Sequence, residues 1–127
     1  MTQEVSAATW AATEQLIELG GRNVEGLRTT QFFDRTDTTP KFQAFRASYA
    51  LRFGQEPGFA SVAAYDAAQA AIAALRGRPT GPAVKTALLN GGPYAGVQMK
   101  WNFDRYGDAE RPAWATVVRD GRFVRAD

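Results

Sequence analysis

The chain contains no cysteine and no histidine. The first absence excludes disulfides, thiol nucleophiles and thiolate ligands; the second excludes imidazole acid–base chemistry and imidazole–metal ligation. A Ser–His or Cys–His catalytic set is therefore impossible. A hydrolase built on carboxylates alone needs a base and a nucleophile in one cleft, and no spacing here suggests one. Long hydrophobic runs are also missing, and no apolar stretch approaches the roughly 18 residues of a membrane span. The opening residues, MTQEVSAATWAATEQ, have neither the basic start nor the apolar middle of a signal peptide. As it stands the sequence reads as soluble, with no export address of its own. Charge of one sign is scarce too. The net charge is +2, and the arginines between 105 and 125 lack the interleaved aromatics of a nucleic-acid surface. They read as a solvated face.

The remaining motifs point away from metals and cofactors. GGRNVEG and NGGPYAG are glycine-rich, but neither carries the Gly-Lys-Ser/Thr of a phosphate loop. Asp104 and Asp108, in DRYGD, supply too few oxygens for a calcium loop and read as turn residues. Tyr65 reads as a space-filler between helix and sheet, and Asp66 as a favourable charge near a helix N-terminus. No catalytic residue, metal ligand or cofactor is expected.

What is present is a chain of 127 residues, 45% hydrophobic and 22% charged, ordinary for one globular domain. Residues 6–19 read as a helix capped by Ser6 and ended by Gly20 and Gly21. A strand is expected over 24–31. Thr39–Pro40 opens the next helix, whose Phe42, Phe45, Tyr49 and Phe53 form an aromatic stripe, and Gly54 stops it. An alanine-rich helix covers 60–76 and a short one 81–89. Alternation over 96–103, then AWATVV and RFVRA around an Asp-Gly turn, reads as an antiparallel β-meander. The fold class is α/β: helix, strand, three helices, meander. One early strand cannot cover three helices, so the pattern reads as part of a fold.

Several segments in order carry a resemblance: ELGGRNVEGLRTTQFF, KFQAFRASYALRFGQEP, AAYDAAQAAIAAL and GVQMKWNFDRYGDAERPAWATVVRDGRFV. Together they resemble the C-terminal third of type I periplasmic solute-binding proteins of ABC transporters, the Leu/Ile/Val-binding family. The resemblance covers residues 4–127. It implies a partial two-lobe periplasmic-binding-protein fold. By the family pattern residues 1–30 belong to lobe 2, 31–40 cross over, 41–90 are lobe 1 helices, and 91–127 form the meander returning to lobe 2.

The resemblance also implies a function: transport rather than catalysis, with an amino acid or an aromatic or organic acid held between closing lobes. It implies an ABC permease partner and a periplasmic location for the full-length protein. The alternative is a ligand-sensing module of a receptor or regulator with the same fold. The ligand-binding residues that carry over are Phe59, Ala60, Ser61 and Val62, before and at the start of the alanine helix, with the crossover residues Gln31 and Phe32 second. An aromatic face suits an apolar ligand group, and helix N-terminal N–H groups with a serine hydroxyl suit an anionic one. Because most of the two-lobe fold is absent, the chain is expected to bind weakly alone. It is also expected to form a homo-oligomer or to join a partner chain supplying the missing lobe.

Overall fold

The computed structural model describes residues 3–126; residues 1, 2 and 127, which the expected domain bounds include, lie outside the described residues. In chain order the elements are β1 (Ser6–Ala7), α1 (Glu14–Gly20), β2 (Arg28–Gln31), α2 (Pro40–Phe53), α3 (Phe59–Leu75), α4 (Pro82–Asn90), β3 (Tyr94–Ala95), β4 (Lys100–Phe103), β5 (Ala109–Glu110), β6 (Trp114–Arg119) and β7 (Arg122–Arg125). Short 3-10 turns lie at Thr9–Ala11 and Gly21–Val24. The chain divides into two units, residues 1–34 with 112–127, and residues 35–111.

The first unit is a four-stranded sheet in the order β1-β2-β6-β7. β1 runs parallel to β2, β2 antiparallel to β6, and β6 antiparallel to β7. The hairpin between β6 and β7 turns on Asp120 and Gly121, at φ of 50° and 67°. Two successive positive φ values are the signature of a type I′ turn, which matches the twist of the strands. The Glu25 carboxylate accepts both turn N–H groups, from Asp120 at 3.1 Å and from Gly121 at 2.7 Å.

The helix expected over 6–19 is shorter. Ser6–Ala7 is a strand, because its backbone finds partners at Arg28 and Thr29. The helix cap is Thr13 instead, whose hydroxyl accepts from the Leu16 N–H at 3.2 Å. The strand expected over 24–31 begins at Arg28; residues before it turn through Gly26 at φ 81°.

In the second unit α2 matches the sequence reading closely. Thr39 is extended before it, Pro40 opens it, and Gly54 ends it in the left-handed conformation with φ 68°. In α3 the buried positions are Val62, Asp66, Ala70 and Ala74. They recur every four residues, so one narrow seam of a 17-residue helix is covered. Against it lies a core of Ala70, Tyr94 and Trp101, with Phe103 packed alongside. The Tyr94 and Trp101 rings are 5.1 Å apart, and Trp101 meets Phe103 edge-on at 4.9 Å.

The strand expected over 96–103 is broken. Tyr94 pairs with Trp101 and Ala95 with Lys100, around a tight loop at 96–99. The meander expected over 91–127 is likewise divided: β3-β4-β5 form a separate sheet in the second unit, while β6 and β7 join the first. β6 pairs instead with β2, far back in the sequence. The aromatic stripe of α2 is also less exposed than its sequence suggests. Phe42 is buried, and Phe45 stacks on both Tyr49 and Tyr65.

Candidate ligand-binding site

The six candidates fall in both units, and each is described within its own. Phe59, Ala60, Ser61 and Val62 form the first turn of α3, entered through extended Gly58. The N–H groups of a first helical turn point along the helix axis, and that of Val62 bonds the Gly58 carbonyl at 3.3 Å. Phe59 is half-buried and Ala60 exposed. The Ser61 hydroxyl donates to the Tyr49 hydroxyl at 2.9 Å. Its proton is thus committed to α2, and Ser61 presents acceptor lone pairs rather than a donor. Val62 is in the core, so its side chain belongs to the packing of the unit.

Gln31 is the last residue of β2 and is 1% exposed. Its amide nitrogen donates to Thr116 Oγ1 at 2.9 Å and to Thr29 Oγ1 at 3.4 Å. The two threonine hydroxyls are 2.8 Å apart, and Thr116 Oγ1 also donates to the Thr29 carbonyl at 3.3 Å. This network holds the end of β2 against β6. Phe32, the next residue, is half-buried.

Sequence reasoning missed Asp66. Its carboxyl is 2% exposed and lies too far along α3 to serve the helix N-terminus. Oδ1 accepts from the Val97 N–H at 2.7 Å, and Oδ2 is 3.5 Å from Arg111 Nη1. Burial pushes the carboxyl above its ordinary range, opposed by the Val97 hydrogen bond and by the charges of Arg111 and Lys41. Lys41 Nζ itself donates to the carbonyls of Ala95 at 2.9 Å and Gly96 at 2.6 Å. Burial lowers the Arg111 guanidinium, and Asp66 partly offsets this. Arg111 also lies 4.8 Å above the Trp101 ring. The signal available in the sequence was periodicity: a carboxylate at an apolar position of the four-residue repeat Val62, Asp66, Ala70, Ala74.

Tyr65 does not fill space between helix and sheet. It is 40% exposed and stacks on Phe45 at 5.0 Å. Asp104 organises its own turn, accepting from the N–H groups of Tyr106 at 2.8 Å and Asp108 at 2.9 Å. Among the described residues no group of three or more acidic side chains is placed to hold a metal ion, and no helix is long and apolar enough to cross a membrane. Two surface grooves in the first unit, of about 510 and 650 Å³, are lined by Val5, Val24 and Leu27 and by Trp10, Leu16 and Leu19 respectively. Neither includes any of the six candidates.

Comparison with solved structures gives close likenesses in fold. The leucine binding protein LivK of Thermotoga maritima is 24% identical, with a TM-score of 0.84, over 100% of this chain and 37% of that one. An ABC transporter substrate-binding protein of Desulfitobacterium hafniense, in complex with Leu, is 26% identical, with a TM-score of 0.75, over 95% of this chain and 35% of that one. The branched-chain amino acid transporter substrate binding protein LivJ of Streptococcus pneumoniae, in complex with isoleucine, is 18% identical, with a TM-score of 0.82, over 96% and 36%. The chain thus spans little more than a third of the length of these proteins. No curated protein matches it. The family model for periplasmic binding proteins matches residues 1–122. With the α/β fold and its order of elements, that match shows that the chain belongs to the periplasmic binding protein family.

Proposed function

We propose that this chain is the C-terminal part of a solute-binding component of an ABC importer, working in the periplasm beside an ABC permease and without catalytic chemistry. The observation that carries this reading is the family match over residues 1–122. The likeness to proteins solved with Leu and isoleucine adds to it. On this reading the first unit is a piece of lobe 2 and the helices of the second a piece of lobe 1. The ligand is a small amino acid or an aromatic or organic acid. Its apolar group meets Phe59 and Ala60, and its carboxylate the N–H groups of the first turn of α3. Phe32 contributes from the crossover, where Gln31 holds the end of β2 rather than touching the ligand.

Affinity in such proteins comes from burying most of the ligand as lobes close. A chain with a third of the fold therefore binds weakly. A titration of the isotope-labelled chain with L-leucine and with benzoate tests this. The expected result is saturable amide shifts at residues 58–62 and 31–32 at millimolar ligand, with no sub-micromolar binding by calorimetry. Shifts confined to other residues refute the site, and tight binding refutes the partial cleft.

The same reading has a consequence for assembly. Leu51 is 90% exposed, with Phe53, Ile72 and Leu75 at least half exposed on α2 and α3. We take these helices to need a partner surface, supplied by a second copy of the chain or by a chain carrying the rest of the fold.

A further inference from the structure

Within the second unit, α4 ends on a reactive pair. Asn90 is its last residue and is exposed, and Gly91 follows. The backbone nitrogen of the residue after an asparagine can attack the side-chain amide and close a five-membered ring. How readily it does so depends on the next side chain, on whether that N–H is already bonded, and on how freely the local backbone moves.

Asn90 meets all three conditions. The chain has three asparagines, at 23, 90 and 102. Asn23 precedes Val24 and Asn102 precedes Phe103, whose side chains crowd the attacking nitrogen. Asn102 is also fixed in β4, opposite Glu110. Asn90 alone precedes a glycine, which adds no side chain and leaves the backbone free to rotate. Gly54, at the end of α2, donates its N–H to the Ala50 carbonyl at 2.8 Å; among the described residues α4 ends without such a bond from the Gly91 N–H. Helix ends fray, and Asn90 lies at one. Asp120–Gly121, in the first unit, has a similar sequence but not the same freedom. Its glycine N–H is held by the Glu25 carboxylate at 2.7 Å, and a carboxylate is a poor target for a nucleophile.

We propose that Asn90 is a site of spontaneous deamidation, and that the change reaches the core of the second unit. The Gly91 nitrogen gives its proton to hydroxide and bonds to Asn90 Cγ. The Cγ–Nδ2 bond breaks, and the nitrogen leaves as ammonia after taking a proton from water. Water then opens the resulting succinimide at either carbonyl, giving aspartate or isoaspartate. The second product runs the main chain through the side-chain carbon, so it inserts a methylene just before Gly91. The packing there leaves no room for it. A Cβ on Gly91 would stand 2.6 Å from the Ala87 carbonyl oxygen and 2.7 Å from the Tyr94 hydroxyl, and one on Gly92 would run into the Asn102 side chain. Tyr94 is buried against Ala70 and Trp101, and its hydroxyl donates to the Leu88 carbonyl at 2.6 Å. A shift at 91–92 therefore pushes on Tyr94 and, through it, on the core.

The folded chain is aged at mildly alkaline pH, and its peptides are mapped by mass spectrometry. Isoaspartate is counted by methyl transfer with protein isoaspartyl methyltransferase. The expected result is exchange of amide for acid at Asn90, with Asn23 and Asn102 intact, and loss of the methyl-accepting product in Asn90→Gln, whose longer side chain closes a ring far more slowly. Asn90→Asp separates charge from backbone: it carries the new carboxylate without the added methylene. The isoaspartate form, separated from the rest by chromatography, should unfold at a lower urea midpoint than Asn90→Asp, read by Trp101 fluorescence with Trp10→Phe and Trp114→Phe in both. An Asn90 that stays intact, or one that reacts no faster than Asn23 and Asn102, overturns the site. An isoaspartate form with the same midpoint as Asn90→Asp overturns its effect on the core.

Discussion

Replacing Gly96 by alanine tests the packing around the buried acid most directly. Gly96 is not in the left-handed region, so alanine costs nothing in backbone conformation, and the whole effect is steric. The added Cβ would stand 2.6 Å from the Met99 carbonyl oxygen and 2.7 Å from Asp66 Oδ2. Neither neighbour can yield cheaply. The Met99 oxygen is backbone in the tight loop between β3 and β4, and Asp66 is held by the Val97 N–H at 2.7 Å. If the loop shifts, overpacking costs about 1–3 kcal/mol. If Asp66 swings away instead, a buried hydrogen bond to a carboxyl is lost, about 1.5–3 kcal/mol. Either route takes a large fraction of the roughly 5–15 kcal/mol that stabilises a typical domain. Urea unfolding of Gly96→Ala, followed by Trp101 fluorescence in a Trp10→Phe, Trp114→Phe background, reads the second unit alone. With a slope of about 1–3 kcal/mol/M, the midpoint should fall by on the order of 1 M. An unchanged midpoint refutes the close packing of Gly96 against Asp66. The double variant Gly96→Ala, Asp66→Ala should lose less than the sum of the two, because the second change removes part of the clash of the first.

Two further outcomes follow from the burial of Asp66 and the exposure of α2 and α3. The Asp66 carboxyl is raised on folding, so between its unfolded and folded values the native state binds more protons than the unfolded one. Its contribution to stability is then fullest below the unfolded value and is lost as pH rises through the folded one. Melting of Asp66→Asn and the parent across this range should show the variant gaining relative to the parent as pH rises; a constant difference is the contrary result. On assembly, burying an exposed Leu51 or Ile72 is worth about 1.5–3 kcal/mol each. Light scattering at low micromolar chain should show a homodimer that Leu51→Lys or Ile72→Glu shifts towards monomer. A folded monomer in the parent chain refutes that second-copy contact.

The sequence was legible where structure is local. Thr39–Pro40 and Gly54 bound α2 because a cap, a pre-set φ and a left-handed stop are properties of neighbours. Asp120–Gly121 announced its hairpin for the same reason. Reading failed where a distant partner decides. Ser6–Ala7 is extended because of Arg28–Thr29, and the run at 96–103 is broken because Lys41 and Asp66 grip it from far back in the chain. At the candidate site, a residue type could suggest chemistry but not what already occupies it. The Ser61 hydroxyl is turned to Tyr49, and the Gln31 amide to two threonines.

The split first unit bears on how the chain comes to be folded. Its central pairing, β2 with β6, joins Gln31 to Trp114 across the whole of residues 35–111. Such a pairing must close a long loop before any contact rewards it, and sheets of this kind form slowly. Residues 35–111 need no such wait, since they form a unit of consecutive residues. On a ribosome the second unit can fold while β6 and β7 are still to be made, and β2 must stay unpaired on that side until they emerge. An unpaired edge invites other chains. The edge is short, and its first residue, Arg28, pairs with Glu4 at 2.8 Å, so the waiting strand carries charge through its most vulnerable interval.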